Sequence, residues 1–315
     1  MNLSLREIEY VLTVANEENI TRASEKLYIA QPSLSQAIKK IEQEVGFLLF
    51  TRVNNKIKLT EEGKLFVEAG SQINKTIRDL QNRLNEHSQL SFGHLAIGMP
   101  FHLGAILIPK VLVVFRKQYP NVKIDLYENT SSELEHMIVN GSIDIAILPL
   151  PIENQNICYK PLISSRMMLI MAKDNPLCSH SYDMGLGEGY RYFDLKKAAN
   201  EPFIIGNRGQ RIRGITELIF KQASISPRIA LYSKNIETIK NIAASGLGLA
   251  LIPEQYLKDE DNLLSANFYY LDKSQDYSWV ITFAFACSSY LSPAARRFME
   301  VMKVVAAPKG NKNIS

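Results

Sequence analysis

Asn19-Ile-Thr-Arg-Ala-Ser-Glu-Lys-Leu-Tyr-Ile-Ala-Gln-Pro-Ser-Leu-Ser-Gln-Ala-Ile-Lys-Lys-Ile-Glu-Gln-Glu-Val-Gly46 sets two helical patterns around one tight turn. Asn19 is an N-cap for a short helix over 20–27, with Ala23 and Leu27 facing inward. Tyr28-Ile29-Ala30 makes the turn. Pro32 then falls in the first turn of a second helix, where its missing N–H removes no hydrogen bond. Leu34, Ala37 or Ile38, Ile41 and Val45 form its apolar stripe, and Gly46 ends it. Gln31, Ser33, Ser35, Gln36 and Lys39 are left on or near the outward face. Glutamine pairs with adenine edges, serine reaches several base edges, and lysine reaches guanine or phosphate. A helix–turn–helix of this shape serves mainly to place one helix in a DNA major groove.

Outward from this stretch, residues 5–16 carry apolar positions at helical spacing: Leu5, Ile8, Val11, Leu12 and Ala15. On the other side Phe50 is expected to anchor a strand. Asn54-Asn55 makes a two-residue turn, flanked by Arg52, Lys56 and Lys58. This reads as a β-wing along the phosphate backbone. The first sixty residues hold eight Lys/Arg and seven Glu. Yet all the basic residues of 31–58 lie on the second helix and wing, opposed only by Glu42 and Glu44, so a local patch carries the phosphate contact. The competing reading is a plain three-helix cluster with a solvated polar face.

The rest of the chain divides in two. Residues 61–90 form one long helix. Phe66, Ile73 and Leu80 recur every seven residues, and Gly70, Ile77 and Leu84 fill the other seam position, as in a coiled coil between two copies. From 91 to 307 strands and helices alternate. Strands are expected at His94–Met99, Val122–Tyr127, Ile143–Leu148, Met167–Ala172, Pro202–Ile205, Arg228–Tyr232, Leu249–Ile252 and Trp279–Ala286. Helices fall at 103–118, 132–140, 211–223, 235–245 and 293–305; 178–194 reads as irregular. This implies two α/β lobes built on a mostly parallel sheet. Lobe one covers about 91–163 and 268–307, lobe two about 164–267. The tail 308–315 is expected to be disordered.

The whole is 315 residues, 46% hydrophobic and 22% charged, with a net charge of +4, so no global charge argument favours nucleic acid. Three widely spaced cysteines, Cys158, Cys178 and Cys287, are expected to be reduced thiols in the cytoplasm. No apolar run is long enough to span a membrane. No metal spacing, cofactor motif or catalytic set emerges, so no cofactor and no enzymatic role are expected. Gly246-Leu-Gly-Leu-Ala follows a helix and enters a strand, the reverse of a dinucleotide loop.

Ala23-Ser24-Glu25-Lys26-Leu27, Ile29-Ala30-Gln31-Pro32-Ser33-Leu34-Ser35-Gln36-Ala37-Ile38, Glu42, Gly46, Leu49-Phe50, Arg52 and Leu59-Thr60-Glu61-Glu62-Gly63 together resemble the LysR-type transcriptional regulators. The resemblance continues through Asp144-Ile145-Ala146-Ile147, Glu237-Thr238-Ile239, Gly246–Pro253 and Leu291–Phe298. It implies a multidomain α plus α/β fold: a winged helix–turn–helix, a linker helix and a two-lobed effector domain like type 2 periplasmic binding proteins. It implies DNA contacts from Gln31, Pro32, Ser33, Ser35 and Gln36, and a backbone contact from Arg52. Ala30 departs from the Ser or Thr that often caps the recognition helix. The resemblance also implies dimers, often paired into tetramers. RNA polymerase is a further expected partner.

In open α/β sheets ligands sit beyond the carboxyl ends of strands. Those positions are Met99, Pro100, Phe101 and His102, then Thr130 and Ser131, then Asn207, Arg208 and Arg211. Each group precedes a helix N-terminus, which favours an anion. A small carboxylate effector is therefore expected. The rival reading is a cytoplasmic solute-binding protein with no role in gene control.

Overall fold

The computed structural model describes residues 3–53, 56–87, 93–185, 190–257 and 266–306. Its amino-terminal unit begins with α1 (Leu5–Glu17), closed by a capping box in which Glu7 N–H donates to Ser4 Oγ and Ser4 N–H to Glu7 Oε2. Asn19 caps α2 (Ile20–Lys26) by accepting from the Thr21 and Arg22 amides at 2.8 and 3.2 Å. Helix α3 (Gln31–Val45) starts without a side-chain cap at Ala30 and ends at Gly46, whose φ of 83° suits glycine. Leu34, Ile38 and Ile41 are its buried stripe, joined in one core by Val11, Val14, Ala23 and Leu49. Ile38 rather than Ala37 takes the inward place.

The wing is a hairpin of β1 (Phe50–Val53) and β2 (Lys56–Leu59). Asn54 and Asn55 lie outside the described residues. Glu42 reaches from α3 to the strand entry, where its Oε1 accepts from the Leu49 and Phe50 amides at 2.8 and 3.1 Å. Thr60 caps the long α4 (Glu61–His87) by accepting from Gly63 N–H. A Cβ on Gly63 would stand 2.0 Å from the Leu49 carbonyl oxygen, so close backbone approach requires glycine there.

The coiled-coil seam on α4 needs correction. Phe66 and Val67 pack into the amino-terminal core, and Gly70 lies against Ile8 and Leu12 of α1. This face of the helix is consumed within the chain because α1 crosses it. Leu65, Ile73, Leu80 and Leu84 are exposed. Further along, Arg78 Nη2 donates to the Gly141 carbonyl at 2.5 Å and the Lys75 stem covers Gly141 (φ 76°), so α4 also docks on the carboxy-terminal half.

That half contains β3 (Gly93–Met99), α5 (Phe101–Gln118), β4 (Val122–Glu128), α6 (Ser131–Val139), β5 (Ile145–Pro149), β6 (Ile157–Ala172), β7 (Arg191–Phe193), β8 (Phe203–Gly206), α7 (Arg211–Gln222), β9 (Ile229–Ser233), α8 (Ile236–Ala244), β10 (Ala250–Pro253), β11 (Ala266–Leu271), β12 (Ser278–Ala286) and α9 (Pro293–Ala306). The large sheet runs β4-β3-β5-β12-β6-β11-β7, with β10 also paired to β6. β3 is parallel to β4 and β5, but β12 is antiparallel to β5 and β6, and β10 and β11 are antiparallel to β6. The sheet is therefore mixed, not mostly parallel.

β6 is the element that joins the lobes. Its first part pairs with β12 as far as Arg166; from Met167 onward it pairs with β10 and β11. Lobe one thus ends inside β6. All of β11 belongs to lobe two, so the chain returns to lobe one near residue 278 rather than 268. The stretch 178–194 holds part of a 3₁₀ turn at Pro176–His180 and the edge strand β7. Residues 307–315 lie outside the described residues.

The cysteine expectation is overturned. Cys158 pairs in register with Phe285 on β12, and the Cys287 amide just beyond that strand donates to Asn156 O. The two side chains meet across the strands in a disulfide with Cα atoms 4.9 Å apart, and Cys178 is the free thiol. The argument from reduced thiols to a reducing compartment therefore falls. No described helix is long and apolar enough to cross a membrane.

Candidate nucleic-acid interface and effector cleft

Packing of Leu34, Ile38 and Ile41 against α1 and α2 turns the opposite side of α3 outward. Gln31, Pro32, Ser33, Gln36 and Lys39 are exposed there, and Ser35 is half-buried at the margin. Arg52 and Lys58 are exposed on the hairpin, while Lys56 takes its place opposite Val53 in β2. Lys40 is less free: its ammonium stands 3.7 Å from Glu7 and 3.6 Å from Glu44. The cationic patch is therefore Lys39, Arg52 and Lys58 beside a row of uncharged polar side chains. That combination offers phosphate anchoring next to hydrogen bonds for base edges.

The second candidate site lies between the lobes. Met99 and Pro100 are buried at the end of β3, and Phe101 is exposed. His102 stands in the first turn of α5 with its ring edge-on to Tyr256, centroids 5.2 Å apart. Burial pulls its pKa down to about 4, so the imidazole is neutral at pH 7. Thr130 is spent on a capping box: its Oγ1 accepts from Glu133 N–H, and its own N–H donates to Glu133 Oε2. Ser131 is buried beside it. Asn207 N–H donates to Gln210 Oε1 at 2.9 Å, and Asn207 Oδ1 is buried with no partner among the described residues.

Arg211 corrects the expectation of a free cation. It is clamped between Glu135 of α6 and Glu153 of the β5–β6 crossover, with its side chain 9% exposed. Glu135 is 6% exposed at its side chain, and its Oε2 also accepts from the Glu153 and Asn154 amides at 3.1 and 3.0 Å. A buried guanidinium needs such partners, which is why it is not open to solvent. Arg208 remains exposed on the adjoining loop. A cavity of about 740 Å³ opens beside this clamp, lined from one side by Ser132, Pro151 and Glu153 and from the other by Arg208, Gln210 and Arg211.

Sequence reasoning missed several groups here. Gln255 Nε2, Tyr256 Oη, Trp279 Nε1 and His102 Nε2 are all buried; Tyr256 lies 6.5 Å from Trp279 between ring centroids, and the Gln255 and Trp279 N–H groups partly offset the effect of burial on its phenol. Burial pushes the Tyr256 phenol well above its ordinary pKa, so it is a neutral donor. Trp279 is in register with Ser165, just before β6 enters lobe two. Glu135 was findable: an acid flanked by Leu134 and Ile138 on an inward face calls for a cation.

Comparison with known proteins agrees with this architecture. Residues 5–64 match the bacterial regulatory helix-turn-helix protein, lysR family, and residues 88–307 match the LysR substrate binding domain. YcgK of Bacillus subtilis (strain 168), described as an uncharacterized HTH-type transcriptional regulator, is 31% identical over 96% of this chain and 94% of its own. A hydrogen peroxide-inducible genes activator of Pectobacterium carotovorum is 26% identical over 80% of each chain. Among solved structures, a full-length OxyR point variant from Pseudomonas aeruginosa superposes with a TM-score of 0.72 at 21% identity, covering 97% of this chain and 95% of that one. CbnR superposes at 0.63 with 19% identity, covering 97% and 100%. These two likenesses concern the fold. The relatives are transcriptional regulators, which sets aside the reading as a plain solute-binding protein. With the DNA-binding module and the effector-binding module both matched in their expected order, the chain belongs to the LysR family of bacterial helix-turn-helix transcriptional regulators.

Proposed function

We propose that this regulator reads DNA with Gln31, Pro32, Ser33, Ser35, Gln36 and Lys39 in a major groove, and holds the flanking phosphates with Arg52 and the wing, including Asn54, Asn55 and Lys56. The observation that carries this reading is the division of α3: an apolar stripe docked on α1 and α2, and a polar face open to solvent. The exposed Ile73, Leu80 and Leu84 of α4 favour a second copy on that helix, and two recognition helices suit a two-fold operator. A dimer of dimers and contact with RNA polymerase extend the same reading, and action on DNA places the protein in the cytoplasm.

We further propose a small carboxylate effector between the lobes. Ser131, Asn207 and Arg208 stand at or near the starts of α6 and α7, and His102, Tyr256 and Trp279 form a buried ring cluster with polar atoms at the lobe junction. Helix N-termini and neutral donors suit an anion. Effector binding that favours one lobe arrangement shifts dimer geometry and so half-site spacing. The test is twofold. Gln31→Ala with Ser35→Ala should weaken binding to a duplex selected by the wild-type protein, with the preference over random DNA lost; retained preference would defeat the α3 assignment. Calorimetry of wild type and Ser131→Ala against a panel of organic acids should find one ligand that the variant binds more weakly.

A further inference from the structure

The two carboxylates that hold Arg211 are not equivalent. Glu135 is 6% exposed at its side chain and is fixed by two backbone amides as well as by the guanidinium. Glu153 is 67% exposed at its side chain, lies on the crossover between β5 and β6, and among the described residues has only this one side-chain link. Arg211 Nε is buried with no acceptor. The adjoining cavity of about 740 Å³ is lined by both Glu153 and Arg211, and by Arg208, which makes no ion pair among the described residues. Arg213, the next cation, is engaged by Glu217 at 2.7 Å and lies over the Tyr232 ring.

We propose that Glu153 competes with the effector's carboxylate for Arg211, so that the cleft carries its own displaceable competitor. This rests on the carboxylate reading above. An exchange of one carboxylate for another leaves the charge around Arg211 unchanged and exposes no uncompensated buried ion, whereas displacing Glu135 would also strand two amides. Release of the Glu153 side chain removes the direct link from the β5–β6 crossover of lobe one to α7 of lobe two, while the Glu153 and Asn154 amides stay on Glu135. Glu135 stays in place and keeps α6 tied to α7 through Arg211. The incoming anion thus replaces the Glu153 carboxylate on Arg211 without opening the clamp.

Trp279, the single tryptophan of the chain, reports on this region from the lobe junction. Full-length wild type, Glu153→Gln, Glu153→Ala and Ser131→Ala are titrated with sodium succinate and with sodium acetate at constant ionic strength. Trp279 fluorescence and calorimetry are read together, and thermal melting checks each fold. If Glu153 occupies Arg211 about nine-tenths of the time, its removal tightens carboxylate binding about tenfold, because apparent affinity scales with the competent fraction. Both Glu153 variants should show this gain, with Ser131→Ala weaker than wild type. Equal or weaker binding by well-folded Glu153 variants overturns the competition and leaves the carboxylate effector standing. If no protein binds either salt, the carboxylate reading falls and the competition with it.

Discussion

Glu135→Ala removes a side chain that joins α6, α7 and the crossover at one point. Three interactions go at once: the ion pair with Arg211 and the two hydrogen bonds from the Glu153 and Asn154 amides. Both side chains of the pair are less than a tenth exposed, so solvent screening is weak. Removing one partner of a buried pair costs about 3–5 kcal/mol, mainly because the other charge is left short of compensation. The remaining Glu153 carboxylate softens that loss toward the lower end. For a unit of this size each kcal/mol moves Tm by about 2–4 °C, so a fall of roughly 6–12 °C is expected in the effector-domain transition. Urea unfolding followed by Trp279 fluorescence gives the free energy directly. The Glu135→Ala/Arg211→Ala double variant should lose clearly less than the sum of its parts, since it no longer buries a lone guanidinium. A loss below about 1 kcal/mol for Glu135→Ala, together with additive behaviour in the cycle, would refute the claim that this clamp binds the lobes.

Two further outcomes follow from groups already described. His102 has a folded pKa of about 4 against 6.5 for the free side chain, so the unfolded chain binds the extra proton first. Its contribution to stability is whole above pH 6.5 and is lost as pH falls toward 4. Between pH 7 and pH 5 the wild type should therefore lose about 2 kcal/mol more than His102→Asn, and parallel curves in urea titrations at the two pH values would contradict the burial of that ring. The Cys158–Cys287 disulfide spans 129 residues of sequence. On the chain-entropy account it stabilises by up to about 4–5 kcal/mol, so a phosphine reductant should lower the Tm of wild type but not of Cys158→Ser. An unmoved wild-type melt would show that the bond does not hold the lobe.

The recognition module is legible because its signals are local. Asn19, Pro32, Gly46 and the Leu34-Ile38-Ile41 spacing each act within a turn or two, and all appear where their chemistry places them. The seam on α4 misleads for the opposite reason: Phe66 and Gly70 are matched to α1, a partner sixty residues earlier that periodicity cannot reveal. In the sensor half, β8, α7 and α8 lie within a residue or two of their expected places. β11 and β7 escape sequence reading, being short pieces completed only by pairing with β6 and each other. The chosen positions do stand at or just beyond the ends of β3, β4 and β8, but the states of their side chains do not follow from sequence. Thr130 and Arg211 look available in sequence and are engaged by Glu133 and by Glu135 with Glu153. Whether a polar side chain is free depends on what lies across the fold, and residue type does not encode that.

β6 passes through Arg166 and Met167 without a break, paired with β12 before that point and with β10 and β11 after it. A backbone laddered on both flanks resists folding sharply at any one residue, yet yields to torsion along its length. The lobes are therefore mounted on a common torsion bar rather than on a slack hinge. In the effector-driven rearrangement proposed above, one lobe would turn against the other as added or relaxed twist, and α4 and the DNA-binding unit would receive an angle more than a displacement.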